Sequence, residues 1–306
     1  CQLSGFTIRG GFPTEDALAL DLTFDHSQES GSDSSGKERN GILVGAQRTD
    51  SGRFGGGVSF DGIDDYIRIE NYKGVLGRCS RTVSVWIKPE GTGSPTICSW
   101  GSIEDGKRWM VTLTSNGGLT LGVWGGRKYS NINLRDGNWH HVAVTLDGDS
   151  NPNITEAKLY VDGIEDTNTV VDNCIGGREI FTEDGSDVII GARFESDSSN
   201  PAYCYIGKME EICIYSRALN LGEIQQLVDT AGLVGHWAMD AISGNTVSDS
   251  SSYARTGTFS VTNPTSICSV GRVDKAIQLQ NNEYIQITGW TGITGGNSRT
   301  CSGWIR

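Results

Sequence analysis

The chain has 306 residues, among them 42 Gly and 6 Pro, with 36% hydrophobic and 20% charged residues; that length suits two domains, and that composition excludes a disordered, collagen-like or helix-dominated chain. Asp and Glu outnumber Lys and Arg by 37 to 25, a formal net charge of −12 with a pI near 4.8, which disfavours nucleic acid and anionic membranes as partners because phosphates call for basic patches. No apolar run approaches the roughly 20 residues of a spanning helix, so membrane insertion is not expected.

The chain opens at Cys1 without a signal peptide. Residues 1–12 read as a segment left from an upstream region or as a linker. Cys1 fits the mature end of a lipoprotein, whereas Leu3-Ser-Gly-Phe-Thr-Ile-Arg-Gly-Gly11 resembles one coil of a parallel β-helix. From residue 13 onward, short runs alternate apolar and polar residues between turn signals, the pattern of half-buried antiparallel strands. Val83, Val85 and Ile87 face one way; Ser84, Trp86 and Lys88 face the other. Trp109-Met-Val-Thr-Leu-Thr114 and Leu119-Thr-Leu-Gly-Val-Trp124 flank Ser115-Asn-Gly-Gly118, a hairpin signal because Asn-Gly and Gly-Gly tolerate positive φ. Further strands are expected at 140–146, 157–161, 188–192 and 212–215. One helix is expected at 221–229, with Leu221, Ile224, Gln225 and Val228 at helical spacing and Asn220 as its N-cap. Many strands and one short helix predict an all-β sandwich.

Self-similarity at a spacing of 215–219 residues then sets the organisation. Leu22-Thr-Phe-Asp25 returns as Trp237-Ala-Met-Asp240, and Asp33-Ser-Ser-Gly-Lys-Glu-Arg-Asn-Gly41 as Asp249-Ser-Ser-Ser-Tyr-Ala-Arg-Thr-Gly257. Gly52-Arg-Phe-Gly-Gly-Gly-Val-Ser-Phe60 matches Gly271-Arg-Val-Asp-Lys-Ala-Ile-Gln-Leu279, Asp65-Tyr-Ile-Arg-Ile69 matches Glu283-Tyr-Ile-Gln-Ile287, and Ser80–Lys88 matches Ser298–Arg306. One domain is therefore expected over 13–229 and the N-terminal part of a second over 230–306, both ends reading as cut from a larger protein.

Eight cysteines stand at 1, 79, 98, 174, 204, 213, 268 and 301, without a CxxC pair or a Cys/His cluster, so zinc is not expected. Cys174 and Cys204 bracket the 188–192 strand, while Cys79 and Cys98 flank the strand of Trp86; either pair could close a disulfide, and sequence leaves the connectivity open. Asn153-Ile-Thr is a lone glycosylation sequon.

Phe60-Asp-Gly-Ile-Asp-Asp-Tyr-Ile67, Thr82-Val-Ser-Val-Trp-Ile-Lys88, Asn138-Trp-His-His-Val-Ala-Val144, Leu159-Tyr-Val-Asp-Gly163 and Gly207-Lys-Met-Glu-Glu-Ile-Cys-Ile-Tyr-Ser-Arg-Ala-Leu219 resemble, in order, the laminin-G-like domains of the concanavalin A-like lectin/glucanase superfamily. The resemblance covers nearly all of 13–229, while the second copy carries only the N-terminal motifs. It implies a jelly-roll β-sandwich of two antiparallel sheets, one convex and one concave. It also implies a calcium site where the first and last strands meet, with Asp25, Asp33 and Glu210 as carboxylate ligands and Asn40 and Gly41 supplying carbonyls; Glu210 stands where the family usually has Asp. Hard cations take six to eight such oxygens.

Other candidates are weighed on their own residues. Asp61, Asp64 and Asp65 fit a cation or a tight turn whose carboxylates bond the backbone. His140 and His141, adjacent on a strand, point to opposite faces and cannot act on one substrate. The laminarinase-type Glu-x-Asp-x-Glu segment is absent; Glu104-Asp105, Glu183-Asp184 and Glu210-Glu211 are adjacent pairs that diverge if extended, so no catalysis is expected. Trp124, Trp100 and Tyr129 are candidates for stacking on sugar rings, Trp124 above all because it breaks the inward alternation of Leu119, Leu121 and Val123. Trp86 and Trp109 are assigned to the core.

The resulting expectation is a non-enzymatic extracellular recognition or adhesion module, secreted or at the cell surface, stabilised by Ca²⁺ and binding glycans or extracellular proteins. Alternatives are a self-associating building block of a filament or surface layer, and an accessory carbohydrate-binding domain of a polysaccharide-degrading enzyme.

Overall fold

The computed structural model describes residues 2–4, 17–22, 24, 31–53, 56–172, 179–195, 200–230, 237–249, 256–261, 268–270, 275–279, 282–287 and 304–305. Two compact units form: Phe12–Ala231, and Cys1–Gly11 together with Gly232–Arg306.

The first unit is a sandwich of two antiparallel sheets. The front sheet runs Val170–Asp172, Arg127–Tyr129, Leu119–Gly122, Arg108–Leu113, Thr96–Gly101, Ser186–Ile190, Tyr66–Ile69, Gly41–Val44. The back sheet runs Ile164–Glu165, Lys158–Val161, His140–Leu146, Arg81–Pro89, Ile206–Tyr215, Gly57–Asp61, Gln47–Thr49, with Leu18–Leu22 also paired to Ile206–Tyr215. Alternation builds the core between them. Val83, Val85 and Ile87 of the back sheet meet Trp109, Val111, Leu113, Leu119 and Leu121 of the front, all at most 1% exposed. Each such side chain contributes about 1.5–3 kcal/mol by leaving water. The expected Asn-Gly hairpin forms, with Leu119 opposite Leu113 and Gly122 opposite Met110.

The back sheet is covered on its outer face as well, which simple alternation does not anticipate. Ala143, Tyr160, Cys213, Tyr215 and Leu219 pack there against Ile224 of the helix Leu221–Thr230. Asn220 caps that helix as expected: its Oδ1 accepts from the Glu223 amide at 3.1 Å, and its own amide donates to Glu223 Oε2 at 2.9 Å. Farther along the same face, the Arg53 guanidinium lies 3.8 Å from the Trp86 ring centroid.

Two strands differ from the sequence expectation. The last strand of the unit spans Ile206–Tyr215 instead of 212–215, because its register shifts between Glu210 and Cys213 and Glu211 adopts φ 50°, which breaks the period of two. The expected 188–192 strand lies two residues earlier, at Ser186–Ile190, and ends before Gly191 at φ 84°.

The cysteine expectations are also corrected. Cys79 is exposed and Cys98 is buried in the sandwich core, and both are free thiols, so the pair is not bridged. The physical reason is placement: Cys98 sits within Thr96–Gly101 facing inward, where burial pushes its thiol up to about 12. Cys204 is likewise a free thiol, and its suggested partner Cys174 lies outside the described residues.

The second unit contains two four-stranded antiparallel sheets, ordered Cys268–Val270, Lys275–Gln278, Gln2–Ser4, Trp304–Ile305 and Trp237–Ser243, Thr246–Asp249, Gly257–Phe259, Ile285–Ile287. Val247, Phe259 and Ile277 form its buried centre.

Candidate functional site

The suggested calcium ligands that lie among the described residues make hydrogen bonds of their own. Leu18–Leu22 and Ile206–Tyr215 do pair, with Leu22 opposite Ile212. Asp25, however, lies outside the described residues. Asp33 spends both carboxylate oxygens on hydrogen bonds: Oδ1 accepts from the amides of Asp21 and Ser35 at 3.0 Å each, and Oδ2 from Ser35 Oγ at 2.8 Å and the Arg39 amide at 2.9 Å. Asn40 turns its side-chain oxygen to the Asp33 amide at 2.9 Å, and Gly41 opens the edge strand. Glu210 is 1% exposed, stands opposite Trp86 on the back sheet, and accepts from the Arg53 amide. Asp61, Asp64 and Asp65 are the trio of described carboxylates whose oxygens come within 4.8 Å of one another. Asp65 accepts from the Asp61 amide and Asp61 from the Ile63 amide, each at 2.8 Å, as a turn requires.

The two histidines separate as expected. His140 bridges Asp162 at 2.8 Å and Asp136 at 3.0 Å; burial opposes its charge, but the two carboxylates prevail and its pKa is raised. His141 is 1% exposed, shares a hydrogen bond with Ser84 Oγ at 2.8 Å, and is lowered to about 4 by burial. Its Nδ1 has no partner among the described residues.

The aromatic candidates divide. Trp100 is fully buried, stacks on Trp109 with centroids 6.0 Å apart, and donates its indole N–H to the Val75 carbonyl at 3.1 Å. It is a core residue, because it lies directly opposite Trp109 on the inward face of neighbouring strands. Trp124 and Tyr129 remain half-buried on one hairpin of the front sheet. Val123 donates to the Gly126 carbonyl at 3.0 Å, closing a turn around Trp124 and Gly125, which take φ 47° and 91°. The Gly106 amide holds this turn through the Val123 and Trp124 carbonyls at 2.8 and 3.0 Å. Three residues on, Tyr129 stands opposite Thr120, whose neighbours Leu119 and Leu121 face the core, so the phenol looks outward. Arg127 shares that face, lies 5.4 Å from the Tyr129 centroid, and is fixed to Asp172 at 3.0 Å through Nε.

Sequence reasoning missed a second polar group on the same outer face. Arg108 is 1% exposed; its Nη2 donates to the Phe194 carbonyl at 2.8 Å, while Nε and Nη1 find no partner among the described residues. Burial lowers it to about 10, and Arg193 adds to the effect. Arg193 in turn lies 3.5 Å from the Tyr203 centroid and pairs with Glu195 at 3.0 Å. A lone arginine in an alternating strand carries no sequence signal of burial, which here accompanies its contact with the Arg193–Phe194 strand.

No curated protein sequence matches the chain. Solved structures of similar shape include the binding domain of Paraclostridial Mosquitocidal Protein 1, with a TM-score of 0.51 and 17% identity over 71% of this chain and 53% of that one. Trypanosoma rangeli sialidase in complex with sialic acid gives 0.50 and 14% over 76% and 36%. Domain 4 of AbnA, a GH43 extracellular arabinanase from Geobacillus stearothermophilus, in complex with arabinotriose, gives 0.49 and 20% over 69% and 99%. The chain thus spans about half the length of the mosquitocidal binding domain, and at these identities the likeness is one of fold. Residues 61–225, more than half of the chain, match the family model of the laminin-G type described as Concanavalin A-like lectin/glucanases superfamily, and the chain belongs to that superfamily.

Proposed function

We propose that the chain is a non-enzymatic glycan-recognition module that works outside the cell as part of a larger adhesive or targeting protein. The observation that carries this reading is the Leu119–Tyr129 hairpin, which holds Trp124 at φ 47° at its tip and turns Tyr129 outward beside the Arg127–Asp172 pair. A bulky side chain in the left-handed region costs on the order of 1–3 kcal/mol and persists where surrounding bonds impose it, as sites of function do. Here the Gly106 amide imposes it. An indole on a backbone held in this way and an outward phenol offer flat apolar faces to sugar rings, and the guanidinium and carboxylate beside the phenol can bond hydroxyls. The part of the mosquitocidal protein that shares this fold is itself named a binding domain, in keeping with the reading.

Glycan-array screening of the full chain, followed by calorimetric titration of the best ligand, tests this. Trp124→Ala and Tyr129→Ala are expected to weaken binding roughly tenfold or more, about 1.4 kcal/mol, with the thermal midpoint unchanged. A chain that retains no glycan, or binds one equally well with both rings removed, refutes the reading.

A further inference from the structure

We propose that the second unit is a strand acceptor whose closing strand is the N-terminal segment of this chain, in the place that Ile206–Tyr215 holds in the first unit. The order of strands states the correspondence. In the first unit Ile206–Tyr215 lies between Arg81–Pro89 and Gly57–Asp61, with Gln47–Thr49 beyond; in the second, Gln2–Ser4 lies between Trp304–Ile305 and Lys275–Gln278, with Cys268–Val270 beyond. The repeat maps Trp304 and Ile305 onto Trp86 and Ile87, and Ile277 onto Val58.

The registers agree residue by residue. Met209 stands opposite Val58 on one side and Ile87 on the other. Leu3 stands opposite Ile277 and Ile305, the mapped equivalents. One residue on, Glu210 faces Trp86 and Ser4 faces Trp304; one residue back, Lys208 faces Ser59 and Gln2 faces Gln278. All these pairings are antiparallel. The rest of the unit keeps the same correspondence: Gly257 pairs with Ile287 as Gly41 pairs with Ile69, and Trp237 with Asp249 as Leu22 with Asp33.

The sequence beyond the paired residues follows suit. Aligned on that register, Leu3-Ser-Gly-Phe-Thr-Ile8 sets its apolar residues at the positions of Met209, Ile212 and Ile214. Gly5 falls at the position of Glu211, whose φ is 50°, the backbone conformation glycine takes most readily. A strand between two others supplies main-chain bonds on both sides and removes two open edges, and its alternate side chains set which segment fits. The slot between Lys275–Gln278 and Trp304–Ile305 therefore takes an extended peptide with an apolar residue at the Leu3 register.

Hydrogen exchange on the full chain, with light scattering on the same samples, tests the assignment. Leu3→Asp is expected to speed exchange at 275–278 roughly tenfold or more while leaving 108–113 unchanged, and Leu3→Met, the residue of the first unit, to keep the protection. A synthetic peptide of residues 1–11 added to the Leu3→Asp chain is expected to restore it. Unchanged exchange at 275–278 in Leu3→Asp overturns the proposal. Concentration-dependent oligomers of the unsubstituted chain that Leu3→Asp disperses would show the strand coming from a second copy, and would overturn the assignment within one chain.

Discussion

Asp33 holds four donors with two oxygens. A divalent cation would have to displace bonds that fix the first strand, through the Asp21 amide, to the loop running to Arg39. In this arrangement the carboxylate acts as a clamp. Its removal strands three backbone amides, and each unpaired donor costs about 1 kcal/mol or more where water does not replace the bond. Asp33→Ala is expected to lower stability by about 2–4 kcal/mol, by the same amount in calcium and in chelator, when both are followed by thermal unfolding. A loss seen only with calcium present would return Asp33 to the ligand set with Asp25 and Glu210. The tryptophans teach a related lesson at this scale. Trp100 and Trp124 look alike in a sequence, but Trp100 faces Trp109 across paired strands while Trp124 occupies a turn. Only the break in alternation at Trp124 hinted at the difference.

Among the elements, those whose reasons are local were legible. Ser115-Asn-Gly-Gly118 makes its hairpin, Val83, Val85 and Ile87 turn inward, and Asn220 caps the helix, because turn chemistry, alternation and capping act over a few residues. The last strand was half legible, since the left-handed Glu211 breaks its period just where the edge partner changes from Gly57–Asp61 to Leu18–Leu22. The covered outer face of the back sheet was not legible, because Arg53 and Trp86 are brought together across the sheet and not along the chain. Nor was the burial of Arg108, for the same reason. Close approach of distant segments also restricts substitution at Gly74. Gly74 has φ 72°, and a Cβ there would sit 2.6 Å from the Trp100 indole. Backbone strain and an overpacked core act together, so Gly74→Ala is expected to cost about 2–4 kcal/mol, read as a lower urea midpoint at unchanged slope. A midpoint within error of the parent would mean that the Trp100 ring moves aside without loss of packing against Trp109.

For the whole molecule, three titrating groups place opposed demands on stability. Burial lowers His141 to about 4, so the unfolded chain binds this proton first, and the stability due to the neutral ring is lost as pH falls from about 6.5 toward 4. Asp21 behaves oppositely: burial pushes its carboxyl up to about 6, against the Cys213 thiol that donates to it at 3.4 Å, with Asp33 adding to the rise. Its share of stability is therefore full below the ordinary carboxylate range and lost as pH rises through about 6. His140, raised by Asp162 and Asp136 against the effect of burial, adds stability below its ordinary pKa and loses it as pH rises beyond. Between about pH 4 and 6 the Asp21 and His141 slopes cancel in large part, and the parent chain is expected to show a shallow profile there. Asp21→Asn leaves His141 unopposed, so stability should climb with pH across that window by up to about 3 kcal/mol. His141→Gln leaves Asp21 unopposed, and the slope should reverse. Urea midpoints collected at half-unit steps of pH for the three proteins decide the matter: opposite slopes for the two variants bear out the balance, whereas three parallel profiles would mean that neither Asp21 nor His141 changes its proton binding on unfolding.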